Sequence, residues 1–222
     1  MKHLTLADEI VVLMLRDDNG AIRPECASVA GMAIAGGILM ELALLGRIDT
    51  DLKSLFIVDP TPIGDELLDN ALQKIVAEPQ RRSSAWWIRV LGLHSGDLSG
   101  KVLGRLVQAS ILRAEDRQFL WVFSRRAYPQ NSGREEREAK ARLLSVIFND
   151  DVPNSRDTLL LGLADSTGVL NAILSPGDRH KASNRIAQVI ALEEINRSLG
   201  GTAARWRAAL RYQVANANWN SD

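Results

Sequence analysis

Apolar residues along this chain recur mostly at the three- and four-residue spacing of amphipathic helices, and in one stretch they close up entirely. From Ala27 to Gly46 almost every position is apolar or glycine, and Gly31, Ala33, Ala35, Gly36 and Gly37 remove the bulk that would keep neighbouring backbones apart. A helix that is apolar on every side has to be buried, so this stretch is expected at the centre of the fold. A membrane span does not fit: fifteen residues separate Glu25 from Glu41, short of the ~20 needed to cross a bilayer. Gly46 followed by Arg47 reads as a C-terminal stop, and Glu41 is expected to find a partner within the chain.

The remaining pattern arranges itself around that helix. Thr5 can cap a helix whose first turn holds Asp8 and Glu9 and whose buried side is Ile10, Val11, Leu13, Met14 and Leu15; the polar run from Asp17 to Gly20 ends it. The run 52–59 is β-rich and predicts one strand, stopped by Pro60 and Pro62. Leu67, Leu68, Leu72, Ile75 and Val76 predict an amphipathic helix after Gly64; Trp86 and Trp87 open another, and Val102, Leu103, Leu106 and Val107 line a short third. The period then changes. Residues 111–126 read as two strands reversing near Glu115, Asp116 and Arg117, with the apolar run 119–123 alternating across the second. Helices are expected over 135–148, 156–164, 168–174, 179–198 and 203–217. The predicted fold class is mainly α: a single globular helical domain, residues 1–222, around a buried central helix with a protruding β-hairpin.

Composition supports a full core, with 46% hydrophobic and 24% charged residues over 222 positions. The 27 basic residues balance 27 acidic ones, yet they are not evenly spread. Residues 1–80 hold six basic and thirteen acidic residues, 81–142 hold thirteen and six, and the rest hold eight of each. A basic middle third is the form a localised anion-binding face takes, although a charge block is equally the mark of a solvated face. Cys26 stands alone, which excludes an intrachain disulfide framework and fits a reducing compartment. Asp8 and Glu9 interrupt any secretory apolar segment, so the expected location is cytoplasmic, or peripheral on a cytosolic membrane face.

No pattern for catalysis stands out. Gly96, Gly100 and Lys101 resemble a phosphate loop, but three residues rather than four separate the glycines and Val102 follows the lysine. His3, His94 and His180 are scattered without metal-ligand spacing, Cys26 has no evident activating base, and Asp150 with Asp151 reads as helix punctuation before a proline turn. Neither enzyme activity, a cofactor nor a metal site is expected.

Several segments, taken together, resemble the Golgi phosphoprotein 3 family in order and spacing. They are Leu4 to Leu13, Gly36 to Ile48, Pro62 to Asp69, Trp87 with Ile88, Leu106 to Leu112 ahead of the hairpin, Arg156 to Ala164, and Asn184 with Arg185. The resemblance implies a mostly helical domain with a protruding hairpin and no catalytic activity. Eukaryotic members are peripheral Golgi proteins that bind phosphatidylinositol 4-phosphate and link glycosyltransferases to vesicle coats, and the apolar residues of their hairpin help to enter the bilayer. Their headgroup pocket uses a tryptophan before the central helix, an arginine in it, and two arginines nearer the hairpin. Those positions fall here at Glu25 or Cys26, at Ala35, and near Gly96 and Ser99, so the resemblance is to a short, bacterial-type member. Without those arginines a phosphate lacks the forked bonds that make recognition specific, and generic anionic-lipid binding is the expectation.

The candidate headgroup contacts are Arg23, Lys101, Arg105, Arg125 and Arg126, with Arg81 and Arg82 as replacements for the missing pocket arginines. Phe119, Leu120 and Trp121 are the candidates for membrane insertion, since aromatic residues flanked by arginines suit a membrane interface. The expected partner is an anionic phospholipid, with a phosphoinositide as its specific form. Three alternatives stay open: a protein-interaction adaptor using the same surface, a homo-oligomer paired through the hairpin, and a winged-helix-like nucleic-acid binder. The last is disfavoured because the helix before the hairpin offers mainly Arg105 and Gln108 for base contacts, so no nucleic acid is expected.

Overall fold

A computed structural model describes residues 4–16, 18–51, 53–93, 98–113, 115–119, 123–127, 134–149, 152–196 and 202–219. Helix α1 (Leu6–Met14) starts where the sequence places it. The Thr5 hydroxyl accepts from the Asp8 amide while the Asp8 carboxylate accepts from the Thr5 amide, a reciprocal cap. All nine residues of α1 are buried, its two acids included. After it the chain doubles back, bridging Leu15 to Ile22, and makes one turn of helix, α2 (Pro24–Ala27), before α3 (Ala30–Leu44).

The central helix therefore begins a few residues later than its apolar pattern, because the turn at Pro24 sets off on its own and Ser28 and Val29 separate the two. Its end agrees with expectation. Gly46 has φ +66, the Arg47 amide donates to the Leu42 carbonyl and the Gly46 amide to that of Ala43, the paired bonds of a left-handed helix stop. Helix α3 is enclosed along nearly its whole length, and the small residues decide how closely others approach. A methyl group on Gly37 would lie 2.8 Å from the Ala7 amide nitrogen, so α1 crosses α3 there backbone to backbone. A methyl on Gly31 would collide with the Gly92 carbonyl in α5 (Ser84–Leu93), which seats that helix on the other end of α3.

Between α3 and α5 lie β1 (Ile48–Thr50), β2 (Leu55–Ile57) and α4 (Glu66–Ala77), capped by the Asp65 side chain. The single strand expected at 52–59 is in fact half of an antiparallel pair, with Ile48 opposite Ile57 and Thr50 opposite Leu55. Three residues were too few for Ile48 to Thr50 to show a period of two. Helix α6 (Leu98–Gln108) then leads through Ser110, at φ +60, into the hairpin.

The hairpin strands are β3 (Glu115–Phe119) and β4 (Phe123–Ala127), each packed chiefly on the other. Glu115, Asp116 and Arg117 lie inside β3 and are not the reversal, and Phe119 belongs to β3 and not to the second strand; it stands opposite Phe123. The charged trio invited a turn there, but cross-strand pairing with Ala127, Arg126 and Arg125 outweighs its turn preference. Leu120 and Trp121 lie outside the described residues. The last helices are α7 (Arg134–Phe148), α8 (Ser155–Ser166), α9 (Val169–Ile173), α10 (Pro176–Asn196) and α11 (Thr202–Trp219), within a few residues of the expected bounds. They wrap α1 and α3, with Leu143, Leu159 to Leu161, Leu163 and Leu210 at or below 1% exposure. Among the described residues no helix is long and apolar enough to cross a membrane.

Candidate functional site

The candidate cations do not form one cluster. Lys101 is exposed on α6. Arg125 and Arg126 are on β4, where the register places Arg125 opposite Arg117 and Arg126 opposite Asp116. Alternation along the ribbon puts positions 117, 119, 123 and 125, two arginines and two phenylalanines, on one face, while positions 116, 118, 124 and 126 share the other. One face thus combines cationic and aromatic positions, with Glu115 and Ala127 sharing it at the base.

Arg23 is half-buried at the start of α2 and borders a surface depression of about 440 Å³ with Arg16, Asp18, Pro24 and Glu25. Arg16 donates two bonds to Asp18, and that hydrogen bonding holds the Asp18 carboxyl below its ordinary range. The depression is of mixed charge. Of the positions at which the family resemblance places pocket residues, Glu25 is exposed but Cys26 is 1% and Ala35 0% exposed, so the latter two face core.

Arg105 has a different task. Its guanidinium reaches from α6 to the Asp8 carboxylate at 3.0 Å from Nε, to the Thr5 hydroxyl at 2.9 Å, and to Asp65 at 2.7 Å. Only 18% of the side chain is exposed. It is one of three arginines that close a charged cluster at the base of α1. Arg142 from α7 binds Glu9 and Asp157, and Arg156 from α8 binds Glu9, Glu41 at 3.0 Å and the Leu4 carbonyl. Glu41, the only acid in α3, also accepts the Leu6 amide at 2.7 Å. The partner expected for Glu41 is thus within the chain, twice over.

Three guanidiniums face five carboxylates here, Asp8, Glu9, Glu41, Asp65 and Asp157. Helix termini supply the missing positive charge. Asp8 and Glu9 lie in the first turn of α1, Asp65 caps α4, and Asp157 lies in the first turn of α8, each where a helix dipole favours an anion. Burial opposes the charge on Arg142 and Arg156, but the hydrogen bonds and pull of these carboxylates outweigh it and raise both above the ordinary arginine value. This cluster is structural: every named member is answered inside the fold. Glu41 is conspicuous in the sequence by its isolation on an apolar helix, whereas the convergence of the starts of α1 and α8 on it is not legible there.

Elsewhere, a groove of about 260 Å³ runs beside β2, lined by Leu55, Ile57, Ile75, Val76 and Trp87 and edged by Glu78, Arg81 and Arg82. The two arginines lie over aromatic rings, Arg81 5.4 Å from the centre of Phe56 and Arg82 5.0 Å from that of Trp86. Cys26 is buried, and burial pushes its thiol up to about 11, far from a reactive thiolate. Among the described residues no group of acids, histidines or cysteine could hold a metal ion. The buried apolar α3 with its lone glutamate, the capped α1 laid across it, and the hairpin after α6 follow the order in which the sequence segments were matched. Residues 6–213, nearly the whole chain, match the family model described as Golgi phosphoprotein 3 (GPP34), and the chain belongs to that family.

Proposed function

We propose that this chain is a non-enzymatic peripheral membrane protein that docks on anionic lipid through its hairpin. The observation that carries the reading is the ribbon face on which Arg117 and Arg125 alternate with Phe119 and Phe123. Aromatic residues settle at headgroup depth while cations meet acidic lipid, each cation contributing roughly 1 kcal/mol near a charged surface. Arg126 on the reverse face and Lys101 on α6 add to the same attraction, whereas Arg105 is engaged in holding α6 to the body. Leu120 and Trp121, between the strands, are the apolar positions that enter the interface. Recognition is by charge and depth rather than by one headgroup, because Ala35 and Cys26 offer no donors where a phosphoinositide pocket would need them. The membrane face is the cytosolic one.

Co-sedimentation with vesicles tests this directly. Neutral, phosphatidylglycerol-containing and phosphatidylinositol 4-phosphate-containing vesicles are compared at low and physiological salt, with Arg125→Ala/Arg126→Ala alongside. Both acidic compositions are expected to bind comparably, and the double variant to lose about 30-fold, two cations at roughly 1 kcal/mol each. Binding to the phosphoinositide alone would restore a specific pocket, and absence of binding to any acidic vesicle at low salt would end the lipid reading.

A further inference from the structure

The groove beside β2 is not used by the hairpin reading, and its edge has an uncommon property. Val58 donates to the Arg47 carbonyl, and Asp51 donates to that of Ser54, so residues 47, 49 and 51 exchange bonds with 58, 56 and 54. The backbone groups of Leu55 and Ile57 consequently point away from β1, toward the groove. Leu55 already uses that edge: its amide donates to the Arg82 carbonyl at 2.8 Å, which brings Arg82 alongside β2. Beyond it, at Ile57, the strand edge opens onto the groove.

What lines the opening is apolar below, while the rim carries Arg81, Arg82 and Glu78, the last paired with Arg82 so that Arg81 is the cation left to meet an occupant. Leu55, Ile75 and Trp87 form a buried floor, and Val76 on α4 is 51% exposed at the wall. Arg81 is 70% exposed and its nearest carboxylate, Asp51, is 3.9 Å away and itself half exposed, a contact that neutralises little. Arg82 gives its Nε to Glu78 at 3.1 Å. Phe56 and Trp86 beneath the two guanidiniums hold them over the groove rather than leaving them to swing free.

We propose that this groove is a docking site for an extended peptide whose acidic side chains alternate with apolar ones. The peptide continues the strand order from β2, exchanging backbone bonds with Ile57. Apolar side chains settle against Val76 and the Trp87 floor, and a carboxylate between them meets Arg81. Exposed Arg81, with Asp51 no closer than 3.9 Å, selects an acidic occupant over a basic one, and the strand edge selects an extended backbone over a helix. The site stands apart from lipid docking.

The test is selection of the full chain against two displayed pools of ten-residue peptides, apolar at alternate positions, with Asp or Glu between them in one pool and Lys in the other. The acidic pool is expected to be enriched, and enriched peptides to slow hydrogen exchange at the Ile57 amide. Arg81→Glu, at an exposed position that leaves the fold intact, is expected to weaken them about tenfold, and Val76→Asp to weaken them similarly. Equal enrichment of both pools, enrichment of neither, or unchanged affinity in Arg81→Glu would overturn the proposal. So would protection of Ile57 by phosphatidylglycerol vesicles without protection by the peptides, which would make the groove a lipid contact instead.

Discussion

Replacing Gly37 by alanine puts one methyl group where α1 and α3 touch. The added carbon would lie 2.8 Å from the Ala7 nitrogen, 2.9 Å from its Cα and 3.0 Å from the Leu6 carbonyl carbon. Comfortable separation is about 3.5 Å, so α1 must withdraw by roughly 0.6 Å. It is not free to do so, since the Leu6 amide is held by Glu41 at 2.7 Å and the Thr5–Asp8 cap is held by Arg105. Overpacking of this kind costs about 1–3 kcal/mol, and weakening the charged bond to Leu6 adds to it, whereas alanine in a helix recovers about 1 kcal/mol. A net loss of about 2–4 kcal/mol is expected. Gly104 supplies the internal control, because an added methyl there meets nothing within 4 Å; Gly104→Ala keeps the helix gain of about 1 kcal/mol without the clash. Urea unfolding followed by far-ultraviolet circular dichroism reads both. With a slope near 2 kcal/mol per molar, the Gly37→Ala midpoint falls by about 1–2 M and that of Gly104→Ala rises by about 0.5 M. If Gly37→Ala unfolds at or above the wild-type midpoint, the backbone-to-backbone crossing is not what this region depends on.

Further outcomes can be measured on the same material. Arg156→Met leaves Glu41 with only the Leu6 amide and is expected to cost about 3–5 kcal/mol; adding Glu41→Leu should return part of it, and strict additivity in that double-mutant cycle would refute the pairing. Arg105→Lys cannot span Asp8, Thr5 and Asp65 together and should lower stability by about 2 kcal/mol, with α6 amides exchanging faster than those of α5; equal exchange would show that α6 is held by its apolar face alone. Cys26, raised to about 11 by burial, should resist alkylation at pH 8 until denaturant is added; prompt labelling would contradict its placement. The Asp59 carboxyl is held below its ordinary range by hydrogen bonds from Thr61 and by Arg47, so it favours the fold above the usual carboxylate range and loses that contribution as pH falls through its lowered value. Asp59→Asn should therefore flatten the acid limb of the stability profile below about pH 4, and an unchanged limb would remove Asp59 from it.

Much of this fold could be read in advance because its elements announce themselves locally. Thr5 with Asp8 is a capping pair three residues apart, Gly46 is a stop, and α3 is apolar on all sides; each signal lies within a few residues of what it determines. Signals that depend on distant partners were not legible. Strand β1 is three residues long and exists because β2 lies beside it. The place where the hairpin turns is set by pairing of Arg126 with Asp116, not by the turn preference of the acids in β3. Arg105 looked like a surface cation in a basic stretch, and nothing within ten residues of it foretells Asp8 or Asp65. The separation along the chain, 97 residues to Asp8, is the reason. The groove at β2 was visible only as Arg81 and Arg82, without the strand edge that gives it shape.

The position of Arg105 matters most when the molecule is loaded. It occupies the last turn of α6, ten residues before β3, so a pull arriving through β3 meets buried Ile111, Leu112 and Leu106 and then the guanidinium. There the force is divided between the start of α1, through Thr5 and Asp8, and the start of α4, through Asp65. Apolar contacts slide under shear, whereas a fork of short directed bonds resists until it breaks. The helix ahead of the hairpin is thereby pinned by polar bonds in its last turn as well as by its apolar face, and that turn moves as one unit with the starts of α1 and α4.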